Sequence, residues 1–274
     1  MIAWTMDCPV KPGNGRANTM TAAPDSTLAT LWCPSPNVEA RREDREPDML
    51  LLHYTGMESA DAALDWLTRE ESKVSCHYLI DEDGRITQLV EESMRAWHAG
   101  QSLWAGETDL NSCSIGIEIH NPGHDFDYPE FPAAQMHAVE ALCLDIFTRH
   151  AIPSDRVLAH SDVAPVRKRD PGEKFDWAGL ARSGIGLWVE PAPLGEDPGL
   201  GLGDEGVAVE ELQRTLQAYG YGVEPTGTYG RGLEQVMLAF QRHFRPARID
   251  GRADASTLDT LHRLVALREG RAGA

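Results

Sequence analysis

Residues 114–120 read Ser-Ile-Gly-Ile-Glu-Ile-His (SIGIEIH). Ile115, Ile117 and Ile119 alternate with Ser114, Gly116, Glu118 and His120, the period-two pattern of a strand with one apolar and one polar face. Upstream, MLLLH at 49–53 is a short apolar run, as expected of a buried strand. Between them, residues 58–70 (ESADAALDWLTRE) have helical character, and SCHYLID (75–81) and RITQLV (85–90) flank a Glu82–Asp83–Gly84 turn, which predicts a hairpin. Downstream, Pro132 opens a helix with an apolar stripe of Met136, Val139, Leu142, Cys143, Ile146 and Phe147. Residues 156–159 (RVLA) form a last short strand ending at His160. The fold class that follows is α/β: a central mixed β-sheet flanked by helices.

The Pro- and Gly-rich stretch 191–203 (PAPLGEDPGLGLG) reads as a linker. Beyond it, residues 204–270 carry three helical stripes: Val209, Leu212, Leu216 and Tyr219; then Leu233, Val236, Met237, Phe240 and Phe244; then Leu258, Leu261, Leu264 and Val265. A small three-helix C-terminal domain is expected, of a size marginal for independent folding. Residues 1–47 are polar and run into the charged stretch ARREDREPD. They read as an N-terminal extension wrapped loosely on the surface, with Leu28, Leu31 and Trp32 available for packing. The α/β domain then occupies 48–190.

The chain has 274 residues and a net charge of −18. That balance argues against nucleic acid, which requires clustered cations, and against an anionic membrane surface. No apolar run approaches the ~20 residues of a membrane span. The N-terminus lacks a basic segment followed by an apolar one, so no secretory signal is read. Five cysteines without a CxxC pair suggest reduced thiols. The expected compartment is the cytoplasm, with the periplasm as the alternative.

The chemistry concentrates at strand ends, where α/β folds gather their sites. His53 ends one apolar strand and His160 another. His160 is followed by SDVAPVRKRDPG, a segment too rich in proline for a helix. Asp170 precedes Pro171, which biases its backbone to be extended and places Lys168, two residues earlier, on the same face. Two imidazoles and one carboxylate, with a fourth position for water, form the catalytic zinc arrangement. Glu118, on the polar face of its strand, is the candidate to take the water's proton, and Lys168 the candidate to stabilise an oxyanion. Trp97 and His98, in AWHAG, are candidates for lining a substrate groove, and Tyr54 for packing or substrate contact. His77 reads as structural and His120 and His124 as loop residues. Cys76 and Cys113 lack the basic setting of a nucleophilic thiolate.

The segments LLHYTG (51–56), SCHYLIDEDGRITQLV (75–90), RAWHAG (95–100), NSCSIGIEIHNPG (111–123) and AHSDVAPVRKRDPG (159–172) occur in this order. Together they closely resemble the zinc-dependent N-acetylmuramoyl-L-alanine amidases of the type-2 amidase family, over about residues 49–190. The resemblance implies one Zn2+ per chain on His53, His160 and Asp170, Glu118 as general base and Lys168 as transition-state cation. The implied substrates are peptidoglycan or its fragments, anhydro-muropeptides included. A family arginine between the tryptophan loop and SIGIE is replaced here by acids, Glu107 and Asp109, leaving Arg95 or Arg167 to anchor the stem peptide. LQ…YGY (212–221), AFQ (239–241) and GRAD…TL (251–258) resemble a peptidoglycan-binding three-helix module. The alternative function is a non-catalytic peptidoglycan-recognition protein, which would have no chemical need for Glu118 and Lys168.

Overall fold

The structure is a computed structural model that describes residues 23–272; Cys8 and the rest of residues 1–22 lie outside it. The chain divides into two compact units. One comprises residues up to 100 together with 111–153, the other residues 101–110 together with those from 154 onward.

The first unit contains β1 (Ala29–Trp32), β2 (Val38–Ala40), β3 (Met49–Tyr54), α1 (Ala60–Leu67), β4 (Tyr78–Ile80), β5 (Ile86–Gln88) and β6 (Met94–Ala96). A short helix α2 (Leu110–Cys113) then leads into β7 (Ser114–Ile119), and α3 (Ala133–Phe147) follows. Its sheet strands run in the order β1-β5-β4-β7-β3, and β2 pairs with β6 separately. β3 and β4 are parallel to β7, β1 is parallel to β5, and β4 is antiparallel to β5, so the sheet is mixed. Parallel strands are covered on both faces. Accordingly Met49, Leu50, Leu51 and Leu52 have no exposed surface, and on β7 even the polar side is enclosed, with Ser114 and Gly116 buried. α1 is capped by Ser59, whose hydroxyl accepts from the Ala62 amide at 3.1 Å. Its Leu64 and Leu67 pack with Cys33, Cys76, Leu79 and Leu89. α3 buries Val139, Leu142, Cys143 and Ile146, as its stripe predicts, with Pro132 as its N-cap.

Residues 29–40 are not a loose arm. β1 forms the sheet edge beside β5, with Leu31 buried and Leu28 exposed, and β2 pairs Val38 with Ala96. A strand of three or four residues carries too little periodicity to be read locally; its partner defines it. The charged run that follows is only partly solvated. Arg41 is buried, and its guanidinium donates to the carbonyls of Glu92, Asn111, Ser112 and Ser114. Burial lowers its pKa to about 10. Glu92 is a second buried charge without a sequence signature. It accepts from Tyr78, Arg149 and His150 at 2.6–2.9 Å. Burial opposes its ionisation, and these donors outweigh that, holding the carboxyl at about 2.

The cysteines correct the expectation of uniformly reduced thiols. Cys33 is disulfide-bonded, whereas Cys76, Cys113 and Cys143 are buried thiols. No described helix is long and apolar enough to cross a membrane.

The second unit contains β8 (Val157–Ala159), α4 (His160–Val163), α5 (Trp177–Arg182), α6 (Val207–Tyr219), α7 (Arg231–Phe244) and α8 (Ala255–Ala272). The stretch after His160, expected to be non-helical, makes one helical turn because Pro165 lies beyond it and withdraws no donor from residues 160–163. α6 and α7 bury the predicted stripes, and α8 buries Leu261 and Leu264 alongside Thr257 and Thr260. The Pro/Gly-rich stretch is tied down. Leu200 and Ala253 exchange backbone hydrogen bonds, and Ser256 donates to the Ala192 carbonyl at 2.6 Å. Gly199, at φ 63°, lies so close that a Cβ would sit 2.1 Å from the Ala253 oxygen.

Candidate metal centre

In the register of β3 on β7, His53 stands opposite Glu118. His53 is buried and Glu118 half-buried. Nε2 of His53 shares a 3.1 Å hydrogen bond with Nδ1 of His98, whose Nε2 lies 3.3 Å from the Ser114 hydroxyl. The backbone of His98 is pinned from the other side, because Asn111 Oδ1 accepts from the amides of His98 and Ala99 at 3.1 and 2.8 Å. The His98 ring lies directly on Gly116, where a Cβ would fall 2.4 Å from its Cγ. The glycine in SIGIE is therefore a steric requirement of the ring above it.

His77 supports this arrangement, as the structural reading expects. Its Nδ1 accepts from the Gly116 amide at 2.9 Å and its Nε2 lies 3.1 Å from the Met94 carbonyl. Burial first, and then the Arg41 charge, lower its pKa from 6.5 to about 3. The unfolded chain therefore takes up this proton first as pH falls. The stability held by neutral His77 is complete above about 6.5 and drains away towards 3. We expect a loss of about 2 kcal/mol from this group at pH 5. Urea unfolding at pH 7 and pH 5 checks it: the pH dependence should flatten by that amount in His77→Gln, and an unchanged slope would contradict it.

In the second unit, His160 opens α4 at the end of β8. Its Nδ1 lies 2.9 Å from Oδ2 of Asp170, and the Ser161 amide donates to the Asp170 carbonyl at 3.0 Å, so the two groups are held together by side chain and backbone alike. Both are buried. Asp170 precedes a cis peptide to Pro171. Among the described residues one group of metal-competent side chains stands out: His53, His160 and Asp170 offer ligand atoms that all lie within 4.8 Å of one another. Two buried imidazoles and one buried carboxylate form the donor set that zinc takes in catalytic sites, so these residues fit the ion.

Lys168 is half-buried and follows a turn closed by its own amide on the Ala164 carbonyl at 2.9 Å. Tyr54 is half-buried, and its hydroxyl shares a 3.0 Å hydrogen bond with His124 Nδ1, while His124 stacks on Tyr128 at 4.1 Å. Trp97 is half-buried, and its indole N–H has no hydrogen-bond partner among the described residues. His120 is committed to the Thr55 hydroxyl at 3.0 Å and to Glu82 at 3.1 Å. Cys76 is fully buried, and burial raises its thiol pKa well above the ordinary range, which removes it as a nucleophile. Arg95 is taken up by Glu39 at 2.9 Å and by Ser112, and Glu107 by Arg156 at 3.5 Å. The sequence reading missed the bond from His98 to His53 and the anchoring role of Asn111. The one available signal was that both lie in the quoted motifs.

Comparison with known proteins gives two family matches: an N-acetylmuramoyl-L-alanine amidase over residues 43–173 and a putative peptidoglycan binding domain over 205–261. The chain is 40% identical to the Escherichia coli N-acetylmuramoyl-L-alanine amidase AmiD over 221 residues, 76% of this chain and 79% of that protein. It is 33% identical to the Enterobacter cloacae 1,6-anhydro-N-acetylmuramyl-L-alanine amidase AmpD over 162 residues, 53% of this chain and 84% of that one. Among solved structures, E. coli AmiD in complex with anhydro-N-acetylmuramic acid-L-Ala-D-γ-Glu-L-Lys superposes with a TM-score of 0.71 at 38% identity, covering 84% of this chain and 92% of that chain. Pseudomonas aeruginosa AmpDh3 with an anhydromuramic pentapeptide gives 0.67 at 30% identity, covering 84% and 95%.

Proposed function

The chain belongs to the N-acetylmuramoyl-L-alanine amidase family, and from that membership we propose the reaction, the metal and the residues that serve it. The protein hydrolyses the amide between the lactyl group of N-acetylmuramic acid, or of its 1,6-anhydro form, and the first L-alanine of the stem peptide, in the turnover and recycling of peptidoglycan fragments. The observation that carries this reading is the buried His53–His160–Asp170 group, with Glu118 opposite His53 on the neighbouring strand.

His53, His160 and Asp170 would hold one Zn2+ per chain. An ion held there would supply Lewis-acid chemistry, activating water near neutral pH (pKa about 7) and polarising a carbonyl. Glu118 accepts the proton of the attacking water and passes it to the leaving amine of L-alanine. Its place on β7, half-buried and opposite His53, sets the carboxylate beside the proposed ligand group. Lys168 sets a positive charge against the oxyanion that develops on the scissile carbonyl. His98 orients His53 through their shared hydrogen bond. Trp97 and Tyr54, both half-buried, are the groups assigned to substrate. Residues 48–190 form the catalytic domain and 204–270 the peptidoglycan-binding module, joined by the linker 191–203. The Cys33 disulfide favours the periplasmic alternative over the cytoplasm, because disulfides persist in oxidising compartments.

Lys168→Ala should lower kcat by about a hundredfold or more while zinc binding is retained, since an oxyanion donor acts on the transition state alone. Steady-state kinetics beside zinc titration checks this, and near-normal turnover would remove Lys168 from the mechanism. The function itself is tested by digesting defined muropeptides with and without chelator and reading the products by mass spectrometry. Release of free peptide beginning at L-alanine, abolished by chelator, is expected. Intact muropeptide would indicate a recognition protein, and cleavage within the peptide a metallopeptidase.

A further inference from the structure

We propose that the C-terminal module acts as an intramolecular latch on the metal site: Tyr221 and His243 grip Asp162 and thereby position His160. The proposal rests on His160 being a zinc ligand and concerns only groups of the second unit.

α4 has four residues, far too few to be stable on its own. Its placement must come from tertiary partners, and Asp162, two residues after His160, supplies them. The Asp162 side chain has no exposed surface. Its carboxylate accepts three hydrogen bonds. The Ala159 amide donates to Oδ2 at 2.9 Å, His243 Nδ1 donates to the same oxygen at 2.6 Å, and the Tyr221 hydroxyl donates to Oδ1 at 2.6 Å. Two of the three donors come from the module, 59 and 81 residues further along the chain. A buried carboxylate left without such donors would be strongly unfavourable, so these bonds fix where α4 sits.

The donors are themselves held rigidly. The His243 ring is stacked between Trp177 and Phe244, each at a centroid distance of 3.7 Å. Its Nε2 has no hydrogen-bond partner among the described residues, so Asp162 is its polar anchor. Tyr221 packs edge-on against Trp104 at 4.9 Å. Trp104 is seated on Gly220, where a Cβ would fall 2.6 Å from the indole, and the neighbouring Leu103 amide donates to the Val163 carbonyl at 2.9 Å. The helical turn that begins with His160 is thus tied to the module directly through Asp162 and, by way of the loop carrying Leu103 and Trp104, through Val163. The match to a putative peptidoglycan binding domain spans Tyr221 and His243, yet both direct their polar atoms inward onto the ligand-bearing turn.

Because the role is positional, the readout is metal affinity and local exchange rather than activity. Tyr221→Phe in the full chain keeps the ring and removes only the hydroxyl. It should weaken zinc about tenfold, the loss typical of a group acting behind a ligand, and speed hydrogen–deuterium exchange of the amides at 160–164. Tyr219→Phe is the control. Tyr219 is equally buried in the same module, against Trp104 and Phe244, and has no hydrogen bond to Asp162. It should change neither zinc affinity nor that exchange. Asp162→Asn combined with Tyr221→Phe should lose no more than Asp162→Asn alone, because Tyr221 acts on the turn through Asp162. A zinc affinity within twofold of wild type in Tyr221→Phe, or an equal loss in Tyr219→Phe, would overturn the latch. A His160→Ala arm separates the premise: if it binds zinc like wild type, the ligand assignment fails, and the exchange of 160–164 still decides whether the latch exists.

Discussion

Asp170→Asn is expected to abolish hydrolysis of muropeptides and to weaken zinc by more than the ten- to hundredfold typical of an outer partner, while the protein remains folded. The substitution keeps the shape of a buried side chain and replaces an anionic oxygen, the ligand proposed for zinc, with a neutral amide. The amide can still bond His160 across the 2.9 Å separation seen in the structure, so the fold loses little. What is lost is the one negative charge of the donor set, and with it the charge match to a dication. Competition with a chromophoric chelator measures the affinity, and mass spectrometry of digested muropeptides measures the turnover. A variant that keeps zinc and turnover within a few-fold of wild type would exclude Asp170 as a ligand.

Glu118→Gln should produce the opposite pattern: zinc is retained and turnover falls by about a hundredfold to ten-thousandfold, the range for removing a general base. Glu118 is half-buried on β7, beside β3 and outside the His53–His160–Asp170 group, so neither stability nor metal affinity should move much. The loss should fall on kcat with little change in KM, because a proton acceptor acts on the transition state. Paired titration and kinetics decide it. Turnover within tenfold of wild type would assign the base elsewhere, and loss of zinc would make Glu118 a ligand. Together the two variants divide the site into groups that hold the ion and groups that use it.

Much of the candidate site is legible because the side chains it is proposed to use lie in short motifs. His53 and His160 stand where apolar runs end, and Asp170 is marked by the proline after it. Glu118 is marked by the alternation of SIGIEIH. The identity of SIGIE's glycine was legible and its reason was not, since the His98 ring that forbids a Cβ arrives from another motif. The same holds for His98, which the sequence offers as a substrate contact and the structure bonds to His53 and Ser114. Arg41 looks like one more cation in a solvated run until the carbonyls of four residues, 51 to 73 positions away, are seen around it.

Local pattern alone determined the strands β3 and β7, the α3 helix, the three C-terminal helices and the kinds of side chain available for chemistry. Periods of two and 3.6 residues are set by neighbours within one turn or one pleat. Tertiary structure decided the rest: β1 as a sheet edge, the enclosure of Glu92, and the hold of Tyr221 and His243 on Asp162. Each of these depends on a partner brought close only when the chain closes loops of tens of residues. A buried polar group is tolerated only where that closure delivers its donors.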